Sequence, residues 1–177
     1  MCGLAGWYGL ALPERAKQEE LLRLLMRKAQ ARGTDSFGVA YRRGGHTRVQ
    51  RGLGPVSQWI ARKPAQLKEV ASSRIVIGHT RAASQGEVVL RNAHPFRVGT
   101  WIGAHNGMIR NAAALNQEAA YAPRGETDSE EALCWLVGQG LSAEAFTRLE
   151  GWYAFTAIDT TTSDVLIAVD SRTPFAI

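Results

Sequence analysis

The chain has 177 residues, of which 45% are hydrophobic and 21% are charged. These proportions are typical of an ordinary soluble globular protein, and we expect one domain with a sizeable core over residues 1–177. No apolar run approaches the ~18 residues of a membrane helix, and no basic segment precedes a long apolar run at the N-terminus, so the sequence predicts a cytoplasmic protein without membrane contact.

The net charge of +5 is a weak indication of an anionic partner such as nucleic acid. The Lys and Arg residues are scattered, and glutamates stand among them in "RAKQEELLRLLMRKAQAR". This mixture is typical of a solvated helix face. Nucleic acid is therefore not indicated beyond the charge itself.

In the first half of the chain the pattern predicts a strand, a helix, a hairpin and a helix. The glycine-rich stretch "CGLAGWYGL" is typical of a strand, and Pro13 stands at the expected start of the first helix. Apolar residues at helical spacing follow before Gly33 ends that helix: Leu21, Leu22, Leu25, Met26 and Ala29. "SFGVAYRR" and "HTRVQRG" predict a hairpin around a Gly-Gly turn, and a further helix covers part of 56–70.

In the second half, "RIVIGHT" and "TWIGAHNG" predict two strands that are separated by a long polar loop over 81–98. Loops of this length are often functional. A short helix is expected near 111–119, a longer one from Asp128 and a third over 142–149, before a hairpin formed by "GWYAFTAID" and "DVLIAVD". Strands and helices do not alternate regularly, so the order favours an α+β layered domain over a doubly wound sheet.

The two cysteines, Cys2 and Cys134, have no Cys or His neighbours at zinc spacing, and no disulfide framework is expected. Cys134 lies in the apolar run "SEEALCWLVGQG", which is typical of a buried packing residue. Cys2 has two interpretations. It is either a small residue at the start of a strand or, once the initiator methionine is removed, a thiol and a free α-amino group on one residue.

Several short stretches occur in a fixed order: "CGLAGWYG", "RGTDSFGVA", "GHTRAASQG", "NAHPF", "HNGMIRN" and "GETDSEEAL". In this order they resemble the glutaminase domain of the class II glutamine amidotransferases, which are N-terminal-nucleophile hydrolases. The resemblance extends to the closing hairpin and to the tail "AVDSRTPFAI". It implies a four-layer αββα sandwich, L-glutamine as substrate, and no cofactor or metal.

The resemblance makes Cys2 the nucleophile and, through its own α-amino group, the general base. An α-amino group has an unperturbed pKa of roughly 7.7 to 8.0, which suits a base near neutral pH. Attack on the glutamine amide then gives a γ-glutamyl thioester that water hydrolyses. Removal of Met1 is obligatory for this chemistry.

The tetrahedral intermediate needs fixed donors for its oxyanion. The resemblance places this role on the Asn106 side chain and the Gly107 backbone N–H, in an "HNG" segment that we expect at the end of a strand. An Asn-Gly pair is also common in hairpin turns. Here the helix-prone "MIRNAAAL" that follows Gly107 weakens the hairpin interpretation.

Free glutamine is a zwitterion, and its recognition requires one positive and one negative group. By resemblance Arg81 in "HTR" binds the α-carboxylate, and Asp128 in "GETDSE" binds the α-ammonium group. Thr127 and Glu130 also fit a capping box at the start of the following helix. The capping role and the binding role are compatible.

The resemblance also marks residues beside the nucleophile that support the site without reacting: Arg32, Gly33, Asp35 and Gly38. Three histidines, His79, His94 and His105, leave a metal cluster open on spacing alone. Each of them lies in a family motif without a metal role, so structural hydrogen bonding by all three is the preferred interpretation.

Many family members carry an aromatic residue after the arginine of "HTR" and a histidine before the next glycine, where this chain has Ala82 and Gln85. These positions belong to the loop that closes over glutamine. We therefore expect a slow or leaky glutaminase in the absence of a partner.

The chain stops where a glutaminase domain closes, so the resemblance implies a separate synthase subunit that binds the ammonia acceptor. Two alternatives remain open: a free-standing N-terminal-nucleophile hydrolase of another γ-glutamyl or amide compound, and a catalytically silent regulatory subunit that retains Met1.

Overall fold

The structure is a computed structural model that describes residues 2–10, 12 and 14–173. Met1, whose removal the predicted chemistry requires, lies outside the described residues, as do Pro13, the expected helix start, and residues 174–177 of the tail.

The described residues form strands, helices and one short 3₁₀ turn at Leu90–Asn92. The strands are β1 (Gly3–Tyr8), β2 (Ser36–Arg43), β3 (His46–Leu53), β4 (Ile75–Arg81), β5 (Phe96–Val98), β6 (Trp101–Ile109), β7 (Gly151–Asp159) and β8 (Val165–Val169). The helices are α1 (Arg15–Gln30), α2 (Val56–Arg62), α3 (Pro64–Ala71), α4 (Ala112–Asn116), α5 (Asp128–Gly138) and α6 (Ala143–Thr147).

The strands form two antiparallel sheets with the orders β1-β4-β2-β3 and β5-β6-β7-β8. Apolar residues from both sheets meet in one cluster, which includes Ile77 of β4 and Ile102 of β6. Helices α1, α2 and α3 pack on the first sheet, and α4 and α5 lie on the other side of the second. The predicted α+β, four-layer αββα sandwich is confirmed.

Burial follows the position of each element between these layers. Strand β4 has neighbours on both sides and is covered on both faces, so all of Ile75–Arg81 is buried. Helix α1 buries only one stripe, which includes Leu22, Met26 and Ala29 at helical spacing. The contacts of α1 with β1 and β4 fix the edge of the sheet at which Cys2 precedes β1.

The helix expected within 56–70 is two helices, which meet at Lys63. Pro64 follows this residue and disfavours a helical conformation before it, and Lys63 accordingly has φ −127° and ψ 55°. Strand β6 continues past the expected end at Gly107 to Ile109, because Gly107 and Ile109 pair with Tyr153 and Gly151 of β7. The prediction that "HNG" ends a strand was therefore wrong.

The segment predicted as one loop over 81–98 contains the 3₁₀ turn and β5. Strand β5 is only three residues long, and this is too short for an alternating pattern to be recognised in the sequence. Among the described residues, no helix has the length and apolar character that a membrane crossing requires.

Candidate active site

Cys2 stands directly before β1, at the end of the first sheet where Gly3 pairs with Thr80 of β4. Its backbone N–H donates to Asn106 Oδ1 at 3.1 Å, and its Sγ lies 3.6 Å from the carbonyl oxygen of Ala82. Asn106 belongs to β6 in the second sheet. The contact therefore joins the two sheets and brings together residues 104 positions apart in the sequence.

The orientation of the Asn106 amide follows from this contact. Because the Cys2 N–H is a donor, the atom that accepts from it is Oδ1, and the donor group Nδ2 remains for another partner. The next residue, Gly107, has φ +150°, and a Cβ atom there would lie 2.1 Å from the Trp152 carbonyl oxygen. Only glycine fits this position, so the backbone directly after Asn106 is constrained.

Arg81 ends β4, and only 3% of its surface is exposed. Its guanidinium group donates to three successive carbonyl oxygens of the following loop: those of Gln85, of Gly86 at 3.4 Å and of Glu87 at 3.1 Å. These bonds order the loop against the Arg81 side chain. A guanidinium group has five N–H donors in total, so Arg81 could bind a carboxylate while it keeps some of these bonds to the loop.

Asp128 is the first residue of α5, behind the N-cap residue Thr127. Its Oδ2 accepts from the Ile109 N–H at 2.9 Å, which ties the start of α5 to the end of β6. Thr127 caps the helix by accepting from the Glu130 N–H, whereas the Glu130 carboxylate accepts from the Gly125 N–H at 2.7 Å. Of the expected capping box, the bond from the Glu130 N–H to Thr127 is present. The Glu130 side chain binds the loop before the helix instead of the Thr127 N–H.

The Cys2 thiol is surrounded by opposed electrostatic influences. Burial raises the pKa of the Cys2 thiol above its ordinary value, Arg81 lowers it and Asp128 raises it. Both charged groups are thus close enough to act on the thiol. Since burial is the largest of these influences, the thiol needs a base in contact with it to become a nucleophile.

Arg32 and Gly33 follow the end of α1 and contact Cys2 and Arg81. Arg32 Nε donates to the Cys2 carbonyl oxygen at 2.8 Å. A Cβ atom at Gly33 would lie 2.3 Å from the carbonyl carbon of Arg81, so this glycine permits close approach of the two backbones. Both residues thus contact segments that carry the candidate site.

Asp35 and Gly38 contact the loop after β4. The Asp35 carboxylate accepts from the Ala83 N–H at 2.8 Å, and the Asp35 N–H donates to the Arg81 carbonyl oxygen at 2.9 Å. A Cβ atom at Gly38 would lie 2.0 Å from the His94 carbonyl oxygen. The supporting roles predicted for these residues remain predictions, and their contacts are consistent with them.

The three histidines of the motifs are all buried close together. His79 Nε2 lies 3.1 Å from the His105 carbonyl oxygen, and the His79 and His94 rings stack with centroids 3.9 Å apart. His105 Nδ1 lies 2.8 Å from Ser129 Oγ. Neither ring nitrogen of His94 has a hydrogen-bond partner among the described residues, so the predicted hydrogen bonding is found for His79 and His105 but was wrong for His94, which packs by stacking. In the part of the chain that the structure describes, no group of three or more His, Cys, Asp or Glu side chains is arranged to hold a metal ion.

Burial lowers the pKa of His79 to about 3 and that of His105 to about 4, and it lowers the pKa of His94 well below its usual range. An unfolded histidine has a pKa of about 6.5. Below that pH the unfolded chain therefore binds more protons than the folded chain, and the free energy of unfolding falls with pH toward the folded-state pKa values. All three rings are neutral in the folded protein at pH 7.

We expect acidification from pH 7 to pH 5 to lower the free energy of unfolding by about 2 kcal/mol for each of His79 and His105, and His94 should lower it further in the same direction. Urea unfolding at the two pH values measures this change. His94→Phe keeps a ring but removes one titrating group, so its pH dependence should be smaller than that of the parent. His46→Gln, at an exposed position, is the control, and a parent protein equally stable at both pH values would contradict the prediction.

Two residues outside the predicted catalytic, binding and supporting sets connect the segments that carry Arg81 and Asp128. Gln85 Oε1 accepts from the Asp128 N–H at 3.3 Å, and Asn92 bonds both to the Glu87 carbonyl oxygen and to the Glu126 N–H. Asn92 belongs to the "NAHPF" segment that contributed to the resemblance. That motif was the available signal for Asn92, but it did not specify a partner.

Cys134 is buried in α5, as the sequence predicted, with 1% of its surface exposed. Burial raises the pKa of its thiol to about 12, and Glu130 contributes in the same direction. The thiol is therefore protonated at neutral pH and packs against Phe96 and Leu133 in a small apolar cluster.

Comparison with known proteins identifies a family. A model described as "Glutamine amidotransferases class-II" matches residues 20–161. The chain is 31% identical over 191 residues to the glutamine–fructose-6-phosphate aminotransferase [isomerizing] of Streptococcus pneumoniae, with 100% of this chain and 30% of the relative covered. The corresponding enzyme of Shouchella clausii is 31% identical over 189 residues, with the same coverage. The chain thus spans about 30% of the length of these relatives.

Solved structures show the same fold. A glutamine phosphoribosylpyrophosphate amidotransferase from B. subtilis, complexed with ADP and GMP, aligns with a TM-score of 0.66 and 20% identity over 96% of this chain and 37% of that chain. A structure described as the allosteric regulatory enzyme of purine biosynthesis aligns with a TM-score of 0.69, at 20% identity and the same coverage. The family match and the αββα architecture agree, and the chain belongs to the class II glutamine amidotransferases.

Proposed function

We propose that the mature chain hydrolyses L-glutamine through a γ-glutamyl thioester on Cys2 and supplies the ammonia for transfer. The observation that carries this proposal is the 3.1 Å contact between the Cys2 nitrogen and Asn106 Oδ1. It supports the proposal because the proposed nucleophile, the nitrogen of its proposed base and a side-chain amide lie together. The match to the family model begins at residue 20 and does not include Cys2. The proposed role of Cys2 is therefore supported by this geometry and not by that match.

After removal of Met1, the Cys2 nitrogen is a primary amine held by Asn106. The amine accepts the thiol proton, and the thiolate attacks the δ-carbonyl carbon of glutamine. Collapse of the tetrahedral intermediate breaks the C–N bond, and the protonated amine gives its proton to the departing ammonia. Water activated by the same amine then hydrolyses the thioester and releases glutamate.

Two donors are proposed for the oxyanion. The first is Asn106 Nδ2, which remains when Oδ1 accepts from the Cys2 nitrogen. The second is the Gly107 N–H. Since the Ile109 N–H points to Asp128 and N–H directions alternate along a strand, the Gly107 N–H lies on the same edge of β6. Both groups are held by the strand pairing, which supports the preorganisation that an oxyanion hole requires.

The proposed glutamine site has Arg81 for the α-carboxylate and Asp128 for the α-ammonium group. Two contacts support this assignment. Arg81 directly precedes Ala82, whose carbonyl oxygen lies 3.6 Å from the Cys2 Sγ, and Asp128 accepts from the Ile109 N–H on β6, the strand that carries Asn106. A substrate whose carbonyl carbon lies at Cys2 then has one charged group of each sign within reach. This arrangement fits a zwitterionic amino acid.

Arg81→Lys and Asp128→Asn are expected to raise KM for glutamine by roughly 10-fold while changing kcat less, because each removes part of a charge interaction made in both the ground state and the transition state. Initial-rate assays of ammonia release over a range of glutamine concentrations measure both constants. A variant with unchanged KM and a large loss of kcat would contradict the binding role.

We further propose that the ammonia acceptor is bound by a separate synthase chain. In the named relatives, which are aminotransferases, the matching region is about 30% of one longer chain. This supports an acceptor-binding unit beside the domain, and its location on a second chain is our own extension of that arrangement. Co-purification of the tagged, full chain tests for this partner, and the retained protein should increase kcat/KM for glutamine when its acceptor is present. Equal rates with and without it would contradict the two-chain arrangement.

The experiment that tests the hydrolytic function combines mass and activity. Intact mass spectrometry should show a chain that has lost Met1 and carries no acetyl group. The same sample should convert L-glutamine to glutamate and ammonia in equal amounts. Retention of Met1 with no ammonia release would indicate a silent subunit, and activity on another amide but not on glutamine would indicate a different hydrolase.

A further inference from the structure

We propose that Asn92 is a positioning residue that holds the two glutamine-binding groups, Arg81 and Asp128, at a fixed separation. The inference rests on the proposed function, because it concerns the same site. It goes further because it assigns the link between Arg81 and Asp128, which lie on different elements, to the buried side-chain amide of Asn92.

On one side, Asn92 contacts the loop that Arg81 holds. Its Nδ2 donates to the Glu87 carbonyl oxygen at 3.0 Å, and this same oxygen accepts from the Arg81 guanidinium group at 3.1 Å. Asn92 and Arg81 therefore share one acceptor. A shift of the Asn92 side chain changes the position of an atom that orients Arg81.

On the other side, Asn92 contacts the segment that leads to Asp128. Its Oδ1 accepts from the Glu126 N–H at 2.9 Å, two residues before Asp128. A second, weaker connection lies nearby, because Gln85 Oε1 accepts from the Asp128 N–H at 3.3 Å. The chain of bonds from Arg81 through Asn92 to the Asp128 segment is continuous.

The surroundings of Asn92 leave it little freedom. The residue is completely buried. A Cβ atom at Gly86 would lie 2.9 Å from Asn92 Nδ2, and one at Gly125 would lie 2.4 Å from Asn92 Oδ1. Two glycines thus allow both loops to press against the amide, and a side chain of another shape cannot occupy this position without moving a loop.

Asn92→Asp tests the link with an isosteric side chain. The aspartate keeps the acceptor for the Glu126 N–H but replaces the donor with an oxygen that faces the Glu87 carbonyl oxygen. Asn111→Asp is a matched control, because Asn111 also joins two segments through both amide atoms, with its Nδ2 on the Arg148 carbonyl oxygen and its Oδ1 on the Glu150 N–H. Asn111 contacts neither binding loop in these bonds.

Three substrates separate positioning from a general structural effect: L-glutamine, 4-carbamoylbutanoate, which lacks the α-ammonium group, and 4-aminobutanamide, which lacks the α-carboxylate. For the parent we expect each analogue to lose on the order of 10²-fold in kcat/KM. In Asn92→Asp, KM for glutamine should rise about 10-fold with kcat within about threefold, and both analogue penalties should shrink together. Asn111→Asp should keep the parent KM and both penalties.

A folded Asn92→Asp enzyme that keeps the parent KM, or that loses only one of the two penalties, overturns the inference. If this variant does not fold, Gln85→Ala removes the second connection and should shrink both penalties to a smaller extent, and unchanged penalties in Gln85→Ala then overturn it. A parent enzyme that releases no ammonia from glutamine refutes the proposed function itself. If the parent is active and discriminates against both analogues, and the Asn92→Asp enzyme has the same KM and the same two penalties, only this inference is refuted.

Discussion

Cys2→Ala is expected to abolish glutamine hydrolysis, with a loss of about 10⁴-fold or more in kcat, because no other group in the site can form the thioester. The fold should be retained, since one small residue replaces another at the edge of a sheet and the backbone contact with Asn106 remains. Ammonia release by the purified variant, with circular dichroism and urea unfolding as checks on folding, measures both outcomes.

Cys134→Ala is the matched control for the loss of a thiol. Its thiol is buried and has a pKa of about 12, so it is no nucleophile near neutral pH. We expect full activity and a loss of stability on the order of 1 kcal/mol from the small cavity. Ammonia release by Cys2→Ala at a rate comparable to the parent would sink the assignment of the nucleophile.

Asn106→Ala is expected to lower kcat by about 10²- to 10³-fold with a smaller change in KM, the range found when one oxyanion donor is lost. The variant also loses the acceptor that holds the Cys2 nitrogen. Steady-state ammonia release over a range of glutamine concentrations separates the two constants.

Asn106→Asp separates the two roles of this side chain. The aspartate can still accept from the Cys2 amine, but it has no N–H for the oxyanion, and its negative charge opposes the one that develops there. We therefore expect kcat to fall at least as far as in Asn106→Ala. If Asn106→Asp kept the parent kcat, or if either variant changed KM alone, the oxyanion role would be wrong.

The sequence by itself was sufficient to predict the family, the α+β class and most elements, because these depend on local patterns. The helix α1 is amphipathic over Arg15–Gln30, and the closing hairpin consists of two short apolar runs that are rich in aromatic and β-branched residues. The candidate site residues could be named because each stands in a short motif, such as "HTR" or "HNG". Their roles remain predictions that the variants above test.

Only the tertiary structure determined which of these residues lie together. The Cys2 contact with Asn106 spans 104 positions and two sheets, and it exists because apolar residues of both sheets pack face to face. Pairing with β7 continues β6 beyond Gly107. The tertiary structure also brings the segment after β4 against the start of α5. In the sequence, Asn92 is one polar residue in the long loop that was predicted over 81–98. Its two bonds to separate loops follow from burial between them, since a buried amide is stable only where both of its polar atoms find partners.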